Sequence, residues 1–146
     1  MKKFALCVLL AWSASWVAAA EGEWLTDLPK AQAKAKTENK MVLLDFTGSD
    51  WCPPCKALHK NVLTSKEFLE FAKDNLILVE VDFPRRKKLS AEQQKANTAL
   101  SEKYDIQGFP TLLVLDSSGK QLSKDVGYSG EGAPEIVGKL QKLKKK

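Results

Sequence analysis

Two short apolar runs constrain this chain most. "MVLLDF" (41–46) and "NLILVEVDF" (75–83) are each bounded by polar residues. Both fall well below the ~20 residues of a membrane span. Runs of this length and composition read as buried strands. Helical patterns occupy the intervals between them. "WLTDLPKAQAKAKTENK" (24–40) predicts a surface helix capped by Thr26 or Asp27. Residues 53–62 have helical spacing, and "TSKE" predicts a capping box with Thr64 at the cap and Glu67 three residues on, opening a helix through Asp74. After a basic loop, "PRRKK" (84–88), Ser90 and Gln93 form a second capping box for a helix to about Tyr104. "TLLVLD" (111–116), "SSGK" and "QLSKDVG" then spell a β-hairpin, and residues 133–146 a terminal helix with a charged end. Strands alternating with helices imply parallel pairing through right-handed crossovers, and the hairpin adds antiparallel strands. The expected architecture is α/β: one domain with a central mixed sheet and helices on both faces.

The first 20 residues stand apart from that domain. Lys2 and Lys3 precede an apolar stretch from Phe4 to Trp12, and Ala18-Ala19-Ala20 supplies small residues for cleavage. This is the layout of a secretory signal peptide. Its removal leaves 126 of 146 residues, takes away Cys7, and lowers the net charge from +5 to +3 with the loss of Lys2 and Lys3. The expected mature domain, 21–146, then carries only Cys52 and Cys55, in a periplasmic or extracellular setting where disulfides persist.

Those two cysteines lie in "DWCPPCK" (50–56). A zinc site needs about four ligands, and only His59, four residues after Cys55, stands near enough to add a third. No metal site is expected. A purely structural disulfide would close too short a loop to constrain the unfolded chain much. A redox-active pair uses every residue of the motif. A strand ending at Phe46 and a helix beginning near Cys52 put the Cys52 sulfur at a helix N-terminus. There the dipole and free N–H groups favour the thiolate over the ordinary thiol pKa of about 8.5. Pro53 and Pro54 suit the first helical turn, where a missing N–H is harmless. An exposed Cys52 would attack a partner disulfide, and Cys55 would resolve the mixed intermediate. Asp45 needs its own account, because a carboxylate inside an apolar strand is costly unless paired, hydrated or functional.

The segments "VLLDFTGSDWCPPCK", "VEVDF", "YDIQGFPTLLVLDSSGK" and "VGYSG" resemble the motifs of thioredoxin-fold proteins, in the family's order, over roughly residues 41–130. The context is most similar to secreted thioredoxin-like proteins and to the C-terminal thioredoxin domain of the transmembrane disulfide reductant conduit. The resemblance implies thiol–disulfide exchange on disulfide-bonded protein substrates, a membrane or soluble redox donor, and no cofactor. It implies that Pro110 is cis and faces the cysteines, presenting the backbone of Phe109 to a substrate strand. It also implies that Gly127, after Val126, leaves room in the same groove, and that Asp45 moves the proton of the resolving cysteine. Two departures from the family pattern stand out. The Asp45–Cys52 interval is one residue longer than in typical thioredoxins, and "NLILVEVDF" has no lysine to partner the acid.

Trp51 is expected to shield the disulfide or pack its loop, and Lys56 to be a solvated lysine near the thiolate. The basic runs 85–88 and 142–146 are expected to be solvated, with no nucleic-acid binding and at most weak contact with an anionic membrane. The expected product is a monomeric, exported reductase of protein disulfides. Two other classes remain in play at this level: a non-catalytic module holding client chains along the Pro110 groove, and a metallochaperone using Cys52, Cys55 and His59.

Overall fold

The computed structural model describes residues 22–145; the expected signal peptide, with Cys7, lies outside them. The elements in order are β1 (Trp24–Leu25), α1 (Leu28–Glu38), β2 (Met41–Thr47), α2 (Pro53–Leu58), a π-helical turn (His59–Leu63), α3 (Lys66–Asn75), β3 (Leu76–Asp82), α4 (Ala91–Lys103), β4 (Thr111–Leu115), β5 (Gln121–Val126) and α5 (Ala133–Lys144). The sheet order is β1-β3-β2-β4-β5. β1 and β2 run parallel to β3, and β4 runs antiparallel to both β2 and β5. The expected mixed sheet is present, with the two apolar runs at its centre.

The first helix is shorter than its composition predicts. Trp24 and Leu25 pair with Leu78 and Val79 as an edge strand instead. The helix begins only after Asp27, whose Oδ1 accepts the Lys30 N–H at 2.9 Å. Pairing to an open edge of β3 outweighs the modest helix propensity of these two residues. The cap of α3 also differs. Ser65, not Thr64, is the N-cap and accepts the Phe68 N–H at 3.3 Å. Thr64 is consumed by the preceding turn, its hydroxyl donating to the carbonyls of His59 and Lys60 at 3.0 and 3.2 Å. Ser90 caps α4 as expected, but Gln93 does not close the box. Its amide donates to the Thr26 carbonyl and to Asn97 Oδ1, and buried Asn97 donates to the Asp82 carbonyl at 2.8 Å.

Successive residues of a strand face opposite sides of the sheet, which divides the core in two. Val42, Leu44, Phe46, Ile77, Val79 and Val81 pack with α1 and with Leu100 and Tyr104 on one face. Met41, Leu43, Leu76 and Leu78 pack with α2, the π-helical turn, α3 and α5 on the other. The second face is the one over which Cys52 and Cys55 are built.

Candidate active site

β2 ends at Thr47, and the chain turns sharply before α2. The Gly48 carbonyl accepts the N–H groups of Trp51 and Cys52 at 3.2 and 2.9 Å. The turn requires glycine for space: a Cβ at position 48 would lie 2.4 Å from the Trp51 ring. Cys52 is the N-cap of α2, in extended conformation, with Pro53 and Pro54 in the first turn and the Cys52 carbonyl accepting the Lys56 N–H at 3.1 Å. The expected placement of both prolines therefore holds. Cys52 and Cys55 are joined as a disulfide, with Cα atoms 5.3 Å apart. Cys52, expected to be exposed, is as buried as Cys55, both at 3%. What separates the two sulfurs is position: Cys52 is the helix cap, whereas Cys55 lies within the helix over the core.

Trp51 forms one wall. Its indole N–H donates to the Phe83 carbonyl at 2.7 Å, and its ring stands edge-on to Phe109 at 6.0 Å, with Phe83 stacked on Phe109 at 5.2 Å. This aromatic contact brings the "GFPT" loop to the cysteine motif. The Phe109–Pro110 bond is cis. The Pro110 carbonyl accepts the Gly127 N–H at 2.8 Å, so the loops at 110 and 127 form one rim. Gly127 has φ +87° and a hypothetical Cβ there would meet nothing within 4 Å. Backbone conformation selects glycine at this position, beside open space. Lys56 is exposed and donates to the Asp50 carbonyl at 3.1 Å.

Asp45 is 6% exposed, and its Oδ1 lacks a hydrogen-bond partner. It stands in register with Glu80 on β3 and Leu112 on β4. Where the resemblance would place a lysine opposite the acid, this chain has a second acid. Burial chiefly, then the charges of Glu80 and Asp82, push Asp45 up to about 7 from its ordinary 3.8. Glu80 is half-buried and also raised, through burial first and then Asp82, with Lys87 and His59 opposing. Asp82 accepts two hydrogen bonds from Ser49, from its N–H at 2.9 Å and its hydroxyl at 2.6 Å. A file of three carboxylates thus occupies the C-terminal ends of β2 and β3, on the face that carries α2. His59 is exposed on the π-helical turn, and no group of three His, Cys, Asp or Glu among the described residues is placed to hold a metal ion.

Sequence reasoning passed over Glu80, Phe83, Asp50 and Arg85. Glu80 carried a readable signal, because it shares the parity of Leu76 and Leu78 within an apolar run. Asp50 carried none: its partners lie 35 to 37 residues away, where its carboxylate accepts the backbone N–H groups of Arg85, Arg86 and Lys87 at 3.0, 2.7 and 3.0 Å. Those bonds, led by the ones from Arg85 and Lys87, hold Asp50 down at about 2. The Arg85 guanidinium lies 3.9 Å from the centroid of a Trp51 ring.

Residues 28–143 match the family model of the thioredoxin-like domain. The chain belongs to the thioredoxin-like family. With a Cys52–Cys55 disulfide at the family's motif, it is a thiol–disulfide oxidoreductase. It is 38% identical over 125 residues to the disulfide bond reductase DsbH of Chlamydia pneumoniae, covering 86% of this chain and 74% of that protein. A solved structure described as DsbH oxidoreductase superposes with a TM-score of 0.80 at 36% identity, covering 88% of each chain. The thiol:disulfide interchange protein DsbD of Cronobacter sakazakii is 30% identical over 96 residues, but the match spans only 15% of that larger protein. No helix among the described residues is long and apolar enough to cross a membrane.

Proposed function

We propose that this chain is an exported reductase of protein disulfides, with Cys52 as nucleophile and Cys55 as resolving thiol. The observation that carries the reading is the cysteine pair at the N-terminus of α2, with the cap position held by Cys52 and the aromatic contact of Trp51 bringing Phe109 and cis Pro110 beside it. In the reduced enzyme the Cys52 thiolate, favoured by the helix terminus, attacks one sulfur of a substrate disulfide and releases the other as a thiolate. Cys55 then loses its proton and displaces the first substrate sulfur from Cys52. The substrate gains two electrons and two protons, and the protein retains the 52–55 disulfide. Asp45 acts in the second step. A carboxyl held near 7 can accept the Cys55 proton at neutral pH, as an ordinary aspartate cannot.

The reductive direction is supported by the 38% identical relative, a disulfide bond reductase, and by the Pro-Pro dipeptide, which offers no charge to make an unusually acidic thiolate. Export rests on the N-terminal pattern of residues 1–20. A reductase outside the cytosol must be recharged, and the donor proposed is a membrane or soluble dithiol protein. Substrate strands are proposed to lie against Phe109 and Pro110, with Trp51 and Gly127 at the two sides. The test is reduction of insulin disulfides by the 21–146 chain with dithiothreitol as donor, followed by precipitation. Cys52→Ser is expected to lower the catalysed rate at least ~100-fold; an unchanged rate would refute the assignment of the nucleophile.

A further inference from the structure

The basic loop 84–88 is expected from sequence to be a solvated connector, yet the structure ties it to the redox motif at two points. Asp50, two residues before Cys52, spends its carboxylate on three consecutive backbone N–H groups of the loop. Arg85 covers the outer face of Trp51, the residue next to Cys52. The loop backbone is therefore clamped against the active-site turn, and its charged side chains are the part left in solvent. Arg85, Arg86, Lys87 and Lys88 are all exposed.

The nearby carboxylates neutralise only part of this charge. Asp50 is ionised and held on this loop, where its single charge offsets one of four cations, Arg86 among them. Asp82 is 4% exposed and reaches only Lys87, at 4.0 Å. From Arg85 the wall runs without a break through Trp51 to Phe109, so fixed positive charge begins one side chain from the groove. On the opposite side the rim at Gly127 is backbone and open space. A disulfide-bearing chain laid in this groove meets cations on the Trp51 side of Cys52.

We propose that residues 84–88 are a substrate-selecting arm, favouring disulfide-bonded polypeptides that carry acidic residues beside the attacked cysteine. This rests on the exchange chemistry proposed above and names its substrate class. Exposed charges on a backbone clamped to the active-site turn act on encounter and orientation of the substrate, so the preference belongs in kcat/KM and is screened by salt.

The test uses pre-reduced 21–146 chain and three matched peptides, each with one intrachain disulfide and with Asp, Ser or Lys flanking one cysteine. The rate of protein thiol loss is followed in each case. At low ionic strength the Asp peptide is expected to react about tenfold faster than the Lys peptide. The ratio is expected to fall towards one in 1 M NaCl, where the Debye length is ~3 Å. The Arg86→Glu/Lys88→Glu variant is expected to invert the order. Because each protein is judged by a ratio of its own rates, a general change in its activity cancels. Equal rates for the three peptides at low salt would overturn the arm while leaving the exchange reading intact, and so would an unaltered ratio in the double variant. Binding of phosphatidylglycerol vesicles that depends on Arg86 and Lys88, alongside equal peptide rates, would assign the arm to membranes and overturn the proposal. Failure of all three peptides, the Ser peptide included, to oxidise the protein would instead strike the exchange reading itself.

Discussion

The two faces of the central sheet are built from the same strands and differ in one respect. On the α1 side, every inward residue of β2 and β3 is apolar: Val42, Leu44 and Phe46 beside Ile77, Val79 and Val81, all buried. On the α2 side the same strands begin with Met41, Leu43, Leu76 and Leu78 and then turn acidic at Asp45, Glu80 and Asp82. The change occurs where the strands approach the cysteine motif. The uniform face stays apolar along the whole length of both strands. The other face gives up apolar contact at its C-terminal end and gains a carboxyl, Asp45, whose protonation can change near neutral pH. Alternation along a strand allows this, since one residue can serve packing while its neighbour serves chemistry.

The contrast can be broken from either side. The largest effect is expected on the uniform face, where Phe46 is fully buried. Phe46→Ala should cost about 3–5 kcal/mol of unfolding free energy, read by denaturant titration of the oxidised protein. A loss under ~1 kcal/mol would mean that burial of Phe46 adds little to the packing of this face.

Asp45→Asn attacks the acidic face, and its sign depends on pH. With a folded pKa near 7 against 3.8 for the free group, the native state resists ionisation. The contribution to stability is greatest below the unfolded value, is lost as pH rises from about 4 to 7, and stays lost above. The Asn variant does not titrate. It should match wild type near pH 4 and exceed it at pH 8 by on the order of 4 kcal/mol, while slowing the resolution of mixed disulfides. Parallel stability curves across that range would show that Asp45 is not a strained carboxyl.

Val81→Thr puts a hydroxyl into the apolar side at constant shape and should cost about 1–2 kcal/mol at every pH. A pH-dependent loss would mean that the two faces are coupled. The smallest change is expected for Glu80→Gln. Removing one neighbouring negative charge should move the Asp45-dependent midpoint of the exchange rate to lower pH by less than about one unit. Burial, the leading cause of the shift, remains. A midpoint that moved upward would reverse the assigned sign of the Glu80 contribution.

The expectations drawn from the sequence succeeded where a signal was local. The apolar runs marked β2 and β3, "SSGK" marked the hairpin turn, and Pro53-Pro54 marked the first turn of α2. They failed where a distant partner decided. Trp24 and Leu25 look like the start of a helix until the open edge of β3 is known. Thr64 has every property of a cap until the helix before it continues through a π-helical turn and takes its hydroxyl. At the site, Cys52, Cys55, Asp45 and Trp51 drew attention through their own chemistry, and Pro110 and Gly127 only through resemblance to a family. Asp50 and Arg85 could not have been found that way, because a carboxylate bonded to three amides more than thirty residues off leaves no pattern in a string of letters.

The Gly48–Trp51 contact makes two positions inherit each other's limits. A methyl group at 48 would occupy the volume of the indole, so Gly48→Ala alone must expel Trp51 and, with it, release Phe109 and Arg85 from their shared ring. Adding a smaller residue at 51 relieves that clash, and the double change should be less damaging than the sum of its parts. Variation at these two sites is therefore expected to travel in pairs: any lineage that loses the small residue must first have found another way to roof its disulfide.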